Sequence, residues 1–138
     1  MKKNKGFTLV ELLAVIVILS LLLVIAVPNV IAISQRIRKN MYCSKIEDIE
    51  SAAKIYGNDN IDVLETTANN KIEINVYTLV SNNLFKKENK DCDNDKNNPK
   101  CVLDPRNNNP MDKDKITITK RDKRVYAEYQ SDKKDVCK

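Results

Sequence analysis

Hydrophobic and polar positions divide the chain into an apolar N-terminal segment and a mixed remainder. Residues 7–33 are almost all apolar and follow a short basic leader, residues 1–6. At about 1.5 Å of rise per residue, a helix of that length reaches roughly 40 Å, which is enough to cross a bilayer with some tilt. The pattern therefore predicts a transmembrane helix over residues 7–33.

A one-sided apolar stripe follows the uniformly apolar segment. Its members recur at helical spacing, with charged residues on the other face: Ile46, Ile49, Ala53 and Tyr56. Gly57, followed by Asn58, is a natural C-terminal stop. We therefore expect one continuous helix from residue 7 to 56, with an amphipathic extension at 34–57 whose stripe needs a partner.

The remaining segment, residues 58–138, reads as a small globular α+β domain. Strict alternation predicts strands at 116–120 and 125–129, joined as a hairpin through 121–124. On the second strand Val125, Ala127 and Tyr129 share one face. We expect this small antiparallel sheet to pack on the amphipathic half of the long helix.

Other parts of residues 58–138 give weaker patterns. Val102-Leu103 is a candidate third strand. Ile72 and Ile74 alternate, but the apolar spacing that follows favours a short helix over 75–86. Residues 58–70 and 86–99 are polar and are predicted to be loops, with a short turn near Val63-Leu64.

Glu11 is the only formal charge between Phe7 and Ser34. A carboxylate inside a membrane span costs roughly 2.5–3.5 kcal/mol on insertion scales. Such a residue is therefore a functional-site candidate. An ordinary secretory signal has a shorter apolar region and no acid, and a plain membrane anchor has no use for Glu11.

The residues Lys5-Gly6-Phe7-Thr8-Leu9-Val10-Glu11-Leu12, with the apolar helix and Pro28 after them, resemble the type IV prepilin family. The resemblance implies a type IV pilin-like fold, cleavage between Gly6 and Phe7 by a prepilin peptidase, and N-methylation of Phe7. It also implies assembly with other pilin subunits, by dedicated assembly machinery, into a filament.

Cleavage would give Glu11 a partner, because it creates a cationic amine at Phe7. The two residues are only about 6 Å apart along a helix axis, so the acid can pair with the amine of its own chain or of a neighbour. A wrong register would leave both charges unpaired. Pro28 removes a backbone donor, which predicts a kink near residues 24–28, either as a simple kink or as a hinge for assembly.

Basic residues flank the predicted span almost equally, so charge alone does not orient it. The resemblance places the N-terminus in the cytoplasm, in a single-pass protein of the inner, or cytoplasmic, membrane. After cleavage the subunit would enter an extracytoplasmic filament at the cell surface.

Composition narrows the chemistry of the chain. It has no His and only two Gly, which excludes Ser-His-Asp sites, His-based metal sites and Gly-rich phosphate loops. The formal charge is +5 and falls to +2 without the leader lysines, too little to indicate nucleic acid. We expect no enzymatic activity and no cofactor.

Four cysteines lie beyond the predicted span: Cys43, Cys92, Cys101 and Cys137. An even number in an extracytoplasmic domain indicates disulfides with three possible connectivities. We favour Cys92–Cys101, closing an Asn-rich loop, and Cys43–Cys137, tying the tail to the helix. Free thiols are the alternative, and zinc is less favoured because no C-x-x-C pair exists.

Two acidic clusters are candidates for cation binding. Asp91, Asp93 and Asp95 mimic the start of an EF-hand, but Lys96 and Val102 occupy positions that need Gly and Glu. Major pseudopilins of type II secretion carry calcium in a C-terminal loop. The resemblance therefore makes calcium candidates of three further acids, for which a solvated acidic loop is the alternative: Asp104, Asp112 and Asp114.

The leading functional hypothesis is a structural subunit of a type IV pilus or pilus-like fibre. The alternative is a pseudopilin of a type II secretion or competence DNA-uptake system, since these share the N-terminal motif. DNA binding would need an exposed basic strip, for which solvated hairpin charges are the simpler reading: Lys113, Lys115, Lys120, Arg121, Lys123 and Arg124.

The first prediction concerns processing. Intact-mass and N-terminal peptide mass spectrometry of the protein extracted from its host should show a chain starting at Phe7 with one N-methyl group. A mature chain that starts beyond Ala32 would instead indicate an ordinary secretory signal.

Overall fold

The computed structural model describes residues 6–90, 92, 97–130 and 134–137, apart from the side chains of 25–29 and 134–135. Most of the predicted leader and the acids Asp91, Asp93 and Asp95 lie outside the described residues. The chain divides into two compact units, Met1–Ile37 and Arg38–Lys138.

Helix α1 runs from Leu9 to Asp59. The prediction of one long helix is confirmed, but its predicted end at residue 56 is wrong, because Gly57 lies inside the helix. The backbone stays helical through Pro28, whose side chain lies outside the described part. The kink predicted near residues 24–28 therefore stays a prediction.

In the second unit, α1 buries the apolar stripe that the sequence predicts. Ile46, Ile49 and Ala53 are at most 5% exposed, and Tyr42 extends the stripe one turn toward the N-terminus. Glu47, Asp48 and Lys54, on the other face, are exposed, which is the arrangement of an amphipathic helix on a sheet. Burial of this stripe, at roughly 1.5–3 kcal/mol for each large aliphatic side chain, fixes the helix to the rest of the unit.

The sheet has three antiparallel strands in the order β1 (Lys71–Asn75), β2 (Lys115–Arg121) and β3 (Arg124–Gln130). The hairpin of β2 and β3 is confirmed, with Asp122 in the left-handed region at its turn. The core face carries Ile116 and Ile118, completely buried on the central strand, and is completed by apolar residues of both neighbours: Ile72, Ile74, Val125, Ala127 and Tyr129.

The third strand is not the predicted one. β1 occupies residues 71–75, whereas Leu103 makes only an isolated bridge to Pro110. Val102 is completely buried, so its apolar character serves the core without a strand. The Ile72 and Ile74 alternation was the correct signal, because each residue pairs with a core isoleucine of β2.

Two short helices complete the fold. α2 (Ile61–Thr66) lies where the sequence predicts a loop, and a short 3₁₀ helix follows at Ala68–Asn70. The completely buried Leu64 anchors α2 in the core. The polar composition of this segment predicted a loop because one apolar residue changes the composition very little. α3 (Val76–Ser81) confirms the predicted helix but ends five residues early. Its N-cap is Asn75, whose side chain accepts the Thr78 amide hydrogen at 3.0 Å.

Gly57 is inside α1 because the sheet leaves no room for a larger residue. A Cβ at this position would lie 2.7 Å from Ile118 Cγ2 and 2.7 Å from Val125 Cγ1. The glycine therefore permits close approach of helix and sheet, and it does not terminate the helix. Glycine destabilises a helix by about 1 kcal/mol relative to Ala, and the close contact with the sheet offsets this cost.

Gly57→Ala tests this reading. Overpacking typically costs about 1–3 kcal/mol and should exceed the gain in helix propensity, so the free energy of unfolding should fall. Urea denaturation followed by tyrosine fluorescence would measure the change. Ser51→Ala, at an exposed position of the same helix, is the control and should be neutral or slightly stabilising. A Gly57→Ala protein as stable as the parent would contradict the close approach.

Candidate functional site

The N-terminus of α1 is a reciprocal capping box made by Thr8 and Glu11. The backbone N–H and the hydroxyl of Thr8 each donate to Glu11 Oε2 at 2.9 Å, and the Glu11 amide donates to Thr8 Oγ1 at 3.3 Å. Both groups thereby satisfy helix-end donors that would otherwise lack partners. The carboxylate also lies at the positive end of the helix dipole.

The sequence analysis predicted Glu11 as a site residue but did not predict Thr8 as its partner. The signal was present, because Thr-x-x-Glu directly before an apolar run is the sequence form of a capping box. Thr8 is therefore a site residue in addition to those predicted. It holds the carboxylate next to Phe7, whose side chain is 85% exposed.

Gly6 and Phe7 precede the first helical residue and have no regular secondary structure. A Cβ placed on Gly6 would meet nothing within 4 Å. The peptide bond between these two residues is therefore sterically open, and it lies next to the capping box.

The apolar residues of α1 before Arg38 are exposed all round the helix. Over residues 9–24 and 30–37, the large apolar side chains range from 81% exposed at Leu9 to 48% at Val17, and they occupy every face over successive turns. Ser20 adds no free polar group, since its hydroxyl donates to the Val17 carbonyl at 2.7 Å. Within the described part of the chain, none of the helices has the combined length and hydropathy of a membrane span.

Two disulfides join the predicted cysteine pairs. Cys43 of α1 bonds to Cys137, and Cys92 bonds to Cys101. The first ties the C-terminal segment to the helix across a sequence separation of 94 residues. In the chain-entropy model a closed loop of that size stabilises by about 4–5 kcal/mol.

The three candidate calcium ligands make separate contacts with protein donors. Asp104 is paired with the Arg106 guanidinium at 2.7 Å. Asp114 accepts the hydroxyl hydrogen of Tyr129, and burial together with that bond raises the pKa of Tyr129. Asp112 is completely buried and accepts backbone hydrogens. Within the described ranges no three acidic, His or Cys residues form a group that could hold a metal ion.

Asp112 holds the segment after the Cys92–Cys101 bridge. Its Oδ1 and Oδ2 each accept the Cys101 amide hydrogen at 3.0 Å, and Oδ2 accepts that of Val102 at 3.2 Å. Burial raises the pKa of Asp112, although these amide bonds oppose the shift. The carboxylate thus satisfies buried backbone donors that have no strand partner.

Helix α1 holds the same segment from the other side. Lys45 Nζ lies 2.5 Å from Glu88 Oε1 and 2.7 Å from the Leu103 carbonyl oxygen, and Glu88 Oε2 accepts the Leu103 amide hydrogen at 2.8 Å. The Arg106 guanidinium stacks 3.4 Å from the centroid of the Tyr42 ring. These contacts fix the loop to the helix in place of strand pairing.

In a comparison with protein families, the model described as the prokaryotic N-terminal methylation motif matches residues 1–27. The chain carries the type IV prepilin and pseudopilin signature. Its α+β fold, a long N-terminal helix with a three-stranded antiparallel sheet, is consistent with a type IV pilin-like fold. Searches of curated proteins and of solved structures return no match.

The role of Asp112 gives a stability prediction for the second unit. Asp112→Ala leaves two buried amide donors unpaired, each at a cost of roughly 1–3 kcal/mol, and should lower the free energy of unfolding accordingly. Asp112→Asn keeps one acceptor oxygen and should lose less. Urea denaturation under non-oxidising and non-reducing conditions, with disulfides intact, measures both. Equal losses of unfolding free energy for the two variants would show that the acceptor oxygen is not the source of the stabilisation.

Proposed function

We propose that this protein is a structural subunit of a type IV pilus or pilus-like filament. In this proposal it assembles through its N-terminal helix after cleavage between Gly6 and Phe7. The observation that carries the proposal is the capped carboxylate of Glu11 at the start of an exposed apolar helix. The methylation motif over residues 1–27 supports the same reading.

The processing step fits the open geometry around the cleavage bond. A peptidase must reach an extended segment, and Gly6 and Phe7 lie outside the helix with space around Gly6. The prepilin peptidase would cut this bond and N-methylate the new amine. Phe7 then becomes the N-terminal residue, immediately before the N-cap Thr8.

Glu11 supplies the charge that meets the new amine. Thr8 fixes the carboxylate through two hydrogen bonds, so little side-chain entropy remains to be lost when a cation arrives. Phe7 directly precedes Thr8, and the Cα atoms of the two residues are about 3.8 Å apart. The pair can therefore form within one subunit or between neighbours, and between neighbours it sets their axial register.

The exposed apolar surface favours association of the helix but does not select one relative orientation of the associating helices. Each exposed Leu, Ile or Val of residues 9–24 and 30–37 gains roughly 1.5–3 kcal/mol when it is removed from water. In the proposal a lipid bilayer covers this surface first, with the N-terminus cytoplasmic, and helices of other subunits cover it in the extracytoplasmic filament. The charge pair then distinguishes the correct register from the many others that apolar packing allows.

The alternative is a pseudopilin of a secretion or DNA-uptake system, because the motif is common to both. The hairpin turn of β2 and β3 carries exposed Arg121, Lys123 and Arg124, which favours a test of DNA binding. Part of the basic strip is already neutralised, since Lys120 pairs with Glu65 and Lys115 lies 3.8 Å from Glu73. These ion pairs weaken the case for DNA binding.

Glu11→Val tests the proposed function. Membrane insertion should persist, while filament yield should fall by about tenfold or more, because the charge pair that selects the axial register is lost. Sheared-filament yield per membrane-bound subunit, measured by immunoblot and electron microscopy, reports the effect.

The matched control keeps the charge but moves it by one residue, in the double variant Glu11→Leu with Leu12→Glu. It has the same composition and net charge and should also fail to assemble. Normal filament yield from either protein would exclude the proposed role of Glu11.

A further inference from the structure

Strand β1 lies at one edge of the sheet and pairs with β2 alone. Just after it, the Val76 amide donates to the Asp114 carbonyl at 3.1 Å, which continues the β1–β2 ladder. Backbone groups alternate in direction along a strand, so the N–H and C=O groups of Lys71 and Glu73 point away from β2. Among the described residues no protein group bonds to these outward groups, which are here called the open edge.

The other edge of the sheet is shielded by α1. The Tyr129 amide points outward from β3 and donates to Glu50 Oε1 of α1 at 2.9 Å. Farther along β3, Val125 lies against Gly57 of the same helix. An unshielded edge is a template for pairing with another chain. Of the two edges of this sheet, the edge at β1 is therefore the one that can accept an added strand.

The side chains of β1 alternate between two different surroundings. Ile72 and Ile74 are half-buried beside the core, whereas Lys71, Glu73 and Asn75 are exposed on the outer face. Residues opposite each other in paired strands share a face. An added strand would therefore place apolar side chains next to the two isoleucines and polar side chains on the outer face.

The outer face next to the open edge carries an excess of positive charge. The Glu73 carboxylate lies 3.5 Å from Lys71 Nζ and 3.8 Å from Lys115 Nζ. A groove of about 360 Å³ beside the C-terminal end of β1 is lined by Glu73, by Lys115 and by one more lysine, Lys113. Three lysines thus surround a single glutamate, and this charge favours acidic side chains on the incoming strand.

We propose that the open edge binds an extended segment of a partner protein, added as an antiparallel strand, in which acidic residues alternate with apolar ones. The backbone groups of Lys71 and Glu73 bond to this segment, and its side chains supply specificity. One acidic side chain lies opposite Lys71, and a second enters the groove near Lys113. A second copy of this chain fits less well, because it brings its own excess of lysine to the same edge.

The proposal concerns only the second unit and does not depend on the filament role. Its test uses the full chain, labelled with ¹⁵N, in phosphocholine micelles. The probe is the peptide acetyl-Ser-Glu-Val-Thr-Val-Glu-Ser-amide, whose threonine is placed opposite Glu73. It should give saturable amide shifts along β1. At saturation it should also slow hydrogen exchange of the Lys71 and Glu73 amides by about tenfold or more, because both gain an acceptor.

Two comparison peptides test the chemistry of the partner. In one, lysine replaces both glutamates. The other, acetyl-Ser-Val-Val-Thr-Glu-Glu-Ser-amide, has the same composition without the alternation. Both should bind at least about threefold more weakly than the probe. The proposal is wrong if either binds as tightly as the probe, if the probe gives no saturable shifts, or if the Lys71 and Glu73 amides exchange as fast with the probe as without it.

Methylated peptides test the backbone pairing on the unaltered protein. The N–H of the peptide threonine faces β1 in the proposed register, so N-methylation at this residue should weaken binding by about tenfold or more. The N–H of the valine after it faces away from β1. N-methylation there is the matched control and should stay within about threefold of the probe. Equal effects at the two positions would contradict strand addition.

Glu73→Pro tests the same hydrogen bonds from the protein side. Proline is tolerated at edge positions whose N–H faces solvent, so the ladder with β2 should persist while peptide binding falls by about tenfold or more. Glu73→Gln keeps the N–H and should bind at least as tightly as the parent. Parental affinity in a folded Glu73→Pro protein would exclude the pairing. If that variant does not fold, the methylated peptides still decide the question.

Lys113→Glu tests the groove. It should weaken binding of the acidic peptide by about threefold or more, because the second glutamate of the pair loses its cationic neighbour. Lys123→Glu makes the same change of charge in the exposed hairpin turn, away from the groove, and should leave the affinity unchanged. Equal weakening by the two variants would show that net charge, and not the groove, attracts the peptide, which would contradict the assignment.

Discussion

The fold and the proposed function both depend on the two different environments of helix α1. Before Arg38, α1 exposes apolar side chains on every face. After Arg38 it buries a single stripe against a sheet. An exposed apolar surface of this extent marks a site that lipid or protein covers, because soluble monomers rarely keep contiguous patches larger than a few hundred Å². Hydrophobic attraction has no direction, so a polar interaction must select one arrangement. The capped Glu11 carboxylate is placed to do so.

The second unit is a small core supported by several local devices. Gly57 lets α1 approach β2 and β3 closely, while the Cys43–Cys137 bond ties the tail to the same helix. The segment after Cys101 has almost no strand pairing, and Asp112 and Lys45 bind its backbone instead. A domain of about 100 residues buries a limited core, so such carboxylate, ammonium and disulfide contacts matter to its stability. The acids that resemble metal ligands in the sequence belong to these contacts, because their oxygens accept hydrogen bonds from protein groups.

The helices and strands that follow from hydrophobic periodicity were predicted from the sequence. The long helix, the buried stripe at Ile46 and Ile49 and the β2–β3 hairpin follow directly from 3.6- and 2-residue spacing. Prediction failed where tertiary contacts override a local signal. Gly57 reads as a helix stop, yet the nearby Ile118 and Val125 explain it. Val102 reads as a strand, yet it is buried in a loop. Thr8 was within reach of the capping-box pattern, whereas the role of Asp112 depends on contacts with Cys101 and Val102 that the chain order does not reveal.

The central claim is that the Glu11 carboxylate pairs with the Phe7 amine in the assembled filament. Solid-state NMR on filaments with a ¹³C-labelled Glu11 carboxyl and a ¹⁵N-labelled Phe7 amine measures the separation of these two groups. The account predicts strong dipolar coupling, consistent with a nitrogen-to-oxygen distance within about 4 Å. Mixed filaments that carry the two labels on different subunits would show whether the pair joins neighbours. Absence of coupling in uniformly labelled filaments would contradict the account.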